Sequence, residues 1–157
     1  HTQTPITSLP ALPLISLDTA EESTLAEVFR GKNIVIDFWT TRCTRCPAAL
    51  DKLQEMAMND TYGEDDVTFA SICCDASLDG AREILEEPSQ ERRWNKIQHY
   101  SFLFGLQDKE RAKQLFGFQS VPFYVFVDSN GTITHKGSPK QVDFERDIRG
   151  MTTKTTG

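Results

Sequence analysis

"DFWTTRCTRCP", residues 37–47, sets Cys43 and Cys46 three positions apart, straight after an apolar run and just before an amphipathic one. Two cysteines at this spacing serve four ends: half of a zinc site, a redox dithiol, a copper site, or a chance pair in a core. Upstream, "NIVIDFW" at 33–39 is short, β-branched and aromatic, which predicts a buried strand. Downstream, Leu50, Leu53, Met56 and Ala57 recur at three-to-four spacing and predict a helix that begins near Cys43. Pro47 suits its first turn, where a missing N–H does no harm.

That placement has chemical consequences. A thiolate attacks a disulfide; a thiol does not. Orphan N–H groups and the positive end of the dipole at a helix start stabilise the anion. Cys43, where strand gives way to helix, is the candidate nucleophile, and Cys46, one turn on, can resolve a mixed disulfide from inside the fold. Arg42 and Arg45 flank the pair as permanent cations. They favour the thiolate, and a stabilised reduced form makes a dithiol more oxidising. A structural zinc site would want a second pair of ligands. Cys73 and Cys74 are adjacent and ill-suited to complete a relaxed tetrahedron, and His1, His99 and His135 are scattered. The residues around the pair therefore favour redox chemistry.

Working outward, "LPLISLD" at 12–18 reads as a first strand and "STLAEVFRGK" as a helix, with Thr24 and Glu27 at capping-box spacing and Gly31 as its stop. "DVTFASICC" at 66–74 is a second buried strand; "LDGAREILEEP" and "SQERRWNKI" read as one helix broken at Pro88 or as two short ones. A short strand is expected within 99–106. "DKERAKQLFGF" is a helix with Ala112, Leu115 and Phe116 inward and Gly117 as its stop. "PFYVFVDSNGTITHKG" is a hairpin turning at Asn130-Gly131, and "KQVDFERDIRG" closes as a helix. A helical crossover from 33–39 to 66–74 gives parallel neighbours, and the later hairpin is antiparallel. The fold class is thus α/β, a central mixed sheet flanked by helices. Residues 1–11 are expected to be an irregular lead-in, 12–150 the domain, and 151–157 a flexible tail.

Two phrases together carry a resemblance. "VIDFWTTRCTRCP" resembles the active-site phrase of the thioredoxin superfamily, and "SVPFYVFVDSNGTI" resembles its second signature, a cis-proline followed by an antiparallel hairpin. The likeness covers roughly residues 24–150. The first strand and the extra helical segment near 77–97 resemble the extended thioredoxin-like thiol–disulfide oxidoreductases, with an N-terminal extension and a helical insertion. The resemblance implies reduction or exchange of protein disulfides through a mixed disulfide, without a cofactor or metal. Cys43 would attack, Cys46 would resolve, and Asp37 would be the buried acid that takes a proton as Cys46 is activated. The physics agrees, since a carboxylate in an apolar strand has a raised pKa. Pro122 would be the cis-proline facing the disulfide, the Val121 backbone would pair with an extended substrate, and Trp39 would pack beside the site.

Departures from the family pattern are instructive. Arg42 stands where an aromatic residue is usual, Thr44-Arg45 where Gly-Pro is usual, and "VTFASIC" lacks the lysine of thioredoxins proper. Arg42, Thr44 and Arg45 are therefore the expected substrate-contacting departures, and a housekeeping thioredoxin is disfavoured. A peroxiredoxin-like peroxidase and a copper-binding or copper-delivery protein of this fold remain as alternatives. "CTRCP" resembles the latter, but its spacing is one residue short and no histidine is clearly placed.

The whole chain fits this reading. Its 157 residues suit one domain, which is expected to be a monomer, and its net charge of −6 argues against a nucleic-acid partner. No apolar run approaches the roughly 20 residues of a membrane span. The expected partners are a disulfide-containing protein or small-thiol substrate and an upstream thiol reductant or reductase. Neighbouring Cys73 and Cys74 rarely bridge each other. Free thiols tilt the expected compartment toward the cytoplasm. Because the sequence starts at His1, the lack of a leader in it excludes nothing.

Overall fold

The computed structural model describes residues 6–75, 78–85 and 93–152. Among them, seven strands form one mixed sheet: β1 (Pro13–Ser16), β2 (Glu22–Thr24), β3 (Ile34–Trp39), β4 (Thr68–Cys73), β5 (Gln98–Phe102), β6 (Phe123–Val127) and β7 (Ile133–Gly137). Their order across the sheet is β2-β1-β5-β4-β3-β6-β7. β3, β4 and β5 run parallel; β6 pairs antiparallel with β3 and β7 antiparallel with β6, while β1 pairs antiparallel with β5 and β2 antiparallel with β1. The strand that carries Asp37 is thus central, and all six of its residues are buried.

Helices cover both faces: α1 (Leu25–Val28), α2 (Cys46–Ala57), α3 (Gly63–Asp66), α4 (Leu78–Leu85), α5 (Leu106–Phe116) and α6 (Phe144–Thr152). Because strand side chains alternate, β3 splits its residues between two cores. Val35 and Trp39 pack with α2 and α6, whereas Ile34, Ile36 and Phe38 pack with α1 and α5. α5 stops as expected at Gly117, whose left-handed φ of 78° suits a residue without a Cβ.

Two expectations are corrected. The helix at 23–32 shrinks to the single turn Leu25–Val28, because Glu22–Thr24 instead pair with β1; Thr24 still caps it, its Oγ1 accepting the Glu27 N–H at 3.3 Å. Residues 6–9, irregular but for one isolated bridge at Ser8, are tied down: Ile6 N–H donates to the Leu115 carbonyl (2.9 Å), Ile133 N–H to that of Thr7 (2.8 Å), and Leu9 N–H to that of Gly131 (3.3 Å). Met151, assigned to the tail, is buried on the last turn of α6. The break at Pro88, residues 1–5 and residues 153–157 lie outside the described residues.

The helical insertion leaves its mark on α2. Trp94 is buried, its Nε1–H donates to Asp51 Oδ1 (2.9 Å), and the Arg93 guanidinium grips the same carboxylate. Gln54 accepts the Lys96 N–H (3.0 Å) and donates to Asn95 (2.8 Å). These bonds tie the middle of α2 to the segment that leads into β5.

Candidate active site

β3 ends at Trp39, and the chain turns through Thr40–Arg45 before α2 begins. Its first helical residue is Cys46, not Cys43 as the sequence suggests, and Pro47 follows it in the first turn. Cys43 occupies the turn, where its carbonyl accepts the Cys46 N–H at 3.3 Å. The turn is anchored by a residue that sequence reasoning missed. Asp75, just past β4, accepts the Thr41 N–H at 2.9 Å and the Thr41 hydroxyl at 3.0 Å. Thr41 and Asp75 are 34 positions apart, and only the β3–β4 pairing brings them together.

Cys43 and Cys46 form a disulfide across a Cα–Cα distance of 5.4 Å. The two sulfurs differ in access: Cys46 is buried at 1% exposure, while Cys43 is half-buried and lines a groove of about 450 Å³. Cys43 Sγ lies 3.7 Å from the Val121 carbonyl oxygen. The Val121–Pro122 peptide, just before β6, is cis. Arg42, Thr44 and Arg45 are exposed on the same groove. Pro122 lines a second groove that shares Arg45, Ser120 and Val121 with the first.

Asp37 lies in the middle of β3, on the face that also takes Trp39 and Cys46, opposite Tyr124 of β6 and Ser71 of β4. It is fully buried, and neither carboxylate oxygen has a hydrogen-bond partner among the described residues. Burial therefore pushes its pKa well above the usual carboxylate range. Tyr124 feels the same environment: burial, then the Asp37 charge, push its phenol up, while its hydroxyl donates to the Ala49 carbonyl at 2.8 Å.

Trp39 is buried at 1% exposure and lines neither groove. Its Nε1–H donates to Ser71 Oγ at 3.2 Å. Ser71 Oγ lies 2.6 Å from His99 Nδ1, and His99 Nε2 lies 2.8 Å from the Trp94 carbonyl oxygen. A carbonyl only accepts, so Nε2 carries a proton, and with the ring neutral Ser71 donates to Nδ1. His99, isolated in sequence, is thus built into the core by the register that pairs it with Ser71.

The two further cysteines part company. Cys73, paired with Trp39, belongs to the α2 face, and its Sγ lies 3.5 Å from Asp75 Oδ1; Cys74 belongs to the opposite core. Both are buried and unbridged. Among the described residues, no three His, Cys, Asp or Glu side chains gather into a group that could hold a metal. No helix among them is long and apolar enough to cross a membrane.

These features define a thioredoxin-like protein with a CxxC disulfide at the head of its second helix. The chain belongs to the Redoxin family, whose model matches residues 7–151. It is similar in fold to a thiol:disulfide interchange protein from Bacteroides sp., with 17% identity and a TM-score of 0.69 over 99% of this chain and 95% of that one. The thioredoxin domain of a thiol-disulfide oxidoreductase from Bacteroides vulgatus is 18% identical with a TM-score of 0.65 over 86% and 89% of the chains. A SCO1/SenC family lipoprotein from Bacillus anthracis is 21% identical with a TM-score of 0.68 over 96% and 97%. No match was found among curated proteins.

Proposed function

We propose that this protein is a thiol–disulfide oxidoreductase that reduces or exchanges protein disulfides through a mixed disulfide on Cys43. The observation that carries this is the unequal burial of a bonded CxxC pair: one sulfur fronts a groove, and the other sits inside on the sheet face of a carboxylate with no hydrogen-bond partner among the described residues. An attacking thiolate needs access, and a resolving thiol needs protection from solvent and a base.

The steps follow from that placement. In the reduced protein, the Cys43 thiolate attacks one sulfur of a substrate disulfide, forming the mixed disulfide and expelling the other sulfur as a thiolate that takes up a proton. Asp37 accepts the Cys46 proton, and the resulting thiolate attacks Cys43 Sγ. The mixed disulfide breaks, the second substrate sulfur leaves and is protonated, and the Cys43–Cys46 disulfide forms. Two electrons and two protons pass from the dithiol to the substrate, and an external dithiol or glutathione-type reductant restores the protein. The Val121 carbonyl, close to Cys43, offers an acceptor for the backbone N–H of an extended substrate.

The test is kinetic trapping. Pre-reduced Cys46→Ser mixed with a disulfide-bonded protein should accumulate a mixed disulfide on Cys43, read as an adduct by intact mass, while wild type passes through it to the intramolecular disulfide. Cys43→Ser should form no adduct and reduce no substrate. Turnover retained by Cys43→Ser overturns the reading.

A further inference from the structure

The two grooves that share Arg45, Ser120 and Val121 have a character at odds with the chain as a whole. The protein has 17 Lys and Arg against 23 Asp and Glu. Yet the groove of about 450 Å³ beside Cys43 is lined by Arg42, Arg45, Lys109 and Lys113, and the second, of about 660 Å³, by Arg45, Lys52 and Lys140. No carboxylate lines either groove among the described residues. Six of the chain's 17 cations thus line two adjoining grooves, the first of which is fronted by Cys43.

The cations come from separate elements, so no single helix face accounts for them. Arg42 and Arg45 belong to the turn around the dithiol, Lys52 to α2, Lys109 and Lys113 to α5, and Lys140 to the 3₁₀ turn Pro139–Gln141. Lys109 and Lys113 are half-buried, which limits the freedom of their stems. Two of the six have helix-surface partners, Lys113 with Glu110 at 3.6 Å and Lys52 with Glu55 at 3.8 Å. Both glutamates are about two-thirds exposed, at 65% and 66%. Such solvated pairs are weak, and an incoming carboxylate can exchange with them.

The grooves share Arg45, Ser120 and Val121, and they extend from that junction toward α5 on one side and toward α2 and residues 138–142 on the other. A chain laid along the Val121 backbone, with its cysteine at Cys43, would send its flanking residues into both. We propose that the preferred substrate is a disulfide in an acidic peptide segment, with carboxylates on both sides of the attacked cysteine; this rests on the oxidoreductase reading above. A small anionic disulfide would use the same charge chemistry, but the two-sided arrangement favours a peptide.

The test uses peptides of one length, each carrying a single cysteine as its mixed disulfide with 2-mercaptoethanol and flanked by Glu, Gln or Lys. Oxidised glutathione is the small-molecule arm. The readout is the second-order rate at which pre-reduced, desalted protein forms its Cys43–Cys46 disulfide as each substrate disulfide is reduced to two thiols. At ionic strength of about 0.01 M the Glu peptide should react at least about tenfold faster than the Lys peptide, with the Gln peptide between them. At about 1 M salt, where charges are screened beyond about 3 Å, the three rates should converge. Lys109→Glu/Lys113→Glu should abolish the preference for Glu on one side of the cysteine, and Lys52→Glu/Lys140→Glu on the other. Equal rates for Glu and Lys peptides, with the Gln peptide still reduced, overturn the proposal and leave the oxidoreductase reading standing. If no peptide or glutathione disulfide oxidises the dithiol, that reading fails and this one with it. If oxidised glutathione outpaces the Glu peptide, the peptide assignment is wrong.

Discussion

The two faces of the central sheet are built from different chemistry. On the face covered by α1 and α5, β3 contributes Ile34, Ile36 and Phe38, and β4 contributes Ala70 and Ile72. Phe38 is the hub of an aromatic cluster there, 5.1 Å from Phe116, 5.3 Å from Phe118 and 6.2 Å from Phe102 between ring centroids. On the face covered by α2 and α6, the same two strands place Asp37, Ser71 and Cys73. Buried polar groups are tolerated when bonded. Ser71 and His99 meet that condition, with Trp39 Nε1 and the Trp94 carbonyl as the ends of their chain. Asp37 does not. Both faces are packed, but the one that also takes Cys46 keeps an acid that has no hydrogen-bond partner among the described residues.

This division has a measurable first consequence on the aromatic face. Phe38→Ala removes the hub of the cluster and leaves a cavity, so urea titration should find a loss of about 3–5 kcal/mol. The reduction potential of Cys43–Cys46 should stay where it is, because the ring lies on the opposite side of the sheet. A large shift in potential would mean that the two faces are coupled and the division is false.

On the polar face the corresponding change is smaller and of another kind. Ser71→Ala removes little volume, but Trp39 Nε1–H loses its acceptor and His99 Nδ1 its donor. The expected loss is about 1–3 kcal/mol. Trp39 fluorescence should change with it, since the indole N–H loses its bond. Stability equal to wild type would show that the polar chain is incidental to this core.

How much of this was legible in the sequence depends on how local the cause is. The central strands, α2, α5, the hairpin turning at Asn130-Gly131 and the CxxC pair all announce themselves by periodicity or by motif. Cys46 and Asp37 are buried, while Cys43 fronts a groove. What was not legible rests on pairing across distance. Nothing local in "STLAEVF" says that Glu22–Thr24 prefer β1 to a longer helix. Nothing in the neighbours of His99 points to Ser71, nor in those of Asp75 to Thr41; register alone decides both. The cationic grooves are gathered from four parts of the chain, and in sequence those residues look like ordinary interleaved surface charge. Trp39, which the resemblance packs beside the site, is buried, because strand alternation aims it into the core.

The finest test of the comparison is Asp37→Asn. Burial raises the carboxyl pKa in the folded protein above its unfolded value of about 3.9. Between those two values the native state holds a proton that the unfolded chain has released, so stability falls as pH rises. The contribution is fully present below the unfolded pKa and is lost as pH climbs through the folded one. Asparagine does not titrate. The variant should therefore lack this slope and be the more stable protein at neutral pH, by on the order of 1 kcal/mol. Its advantage should vanish as pH falls toward about 4. Urea titrations of both proteins across this range, with the dithiol held oxidised, read the effect directly. The same substitution should slow disulfide exchange near neutral pH if Asp37 is the proton acceptor of Cys46, as proposed. A variant that is both more stable and slower marks a residue kept for chemistry at the expense of packing. Parallel pH profiles, or unchanged exchange, would put Asp37 with the structural residues and leave the polar face without its functional member.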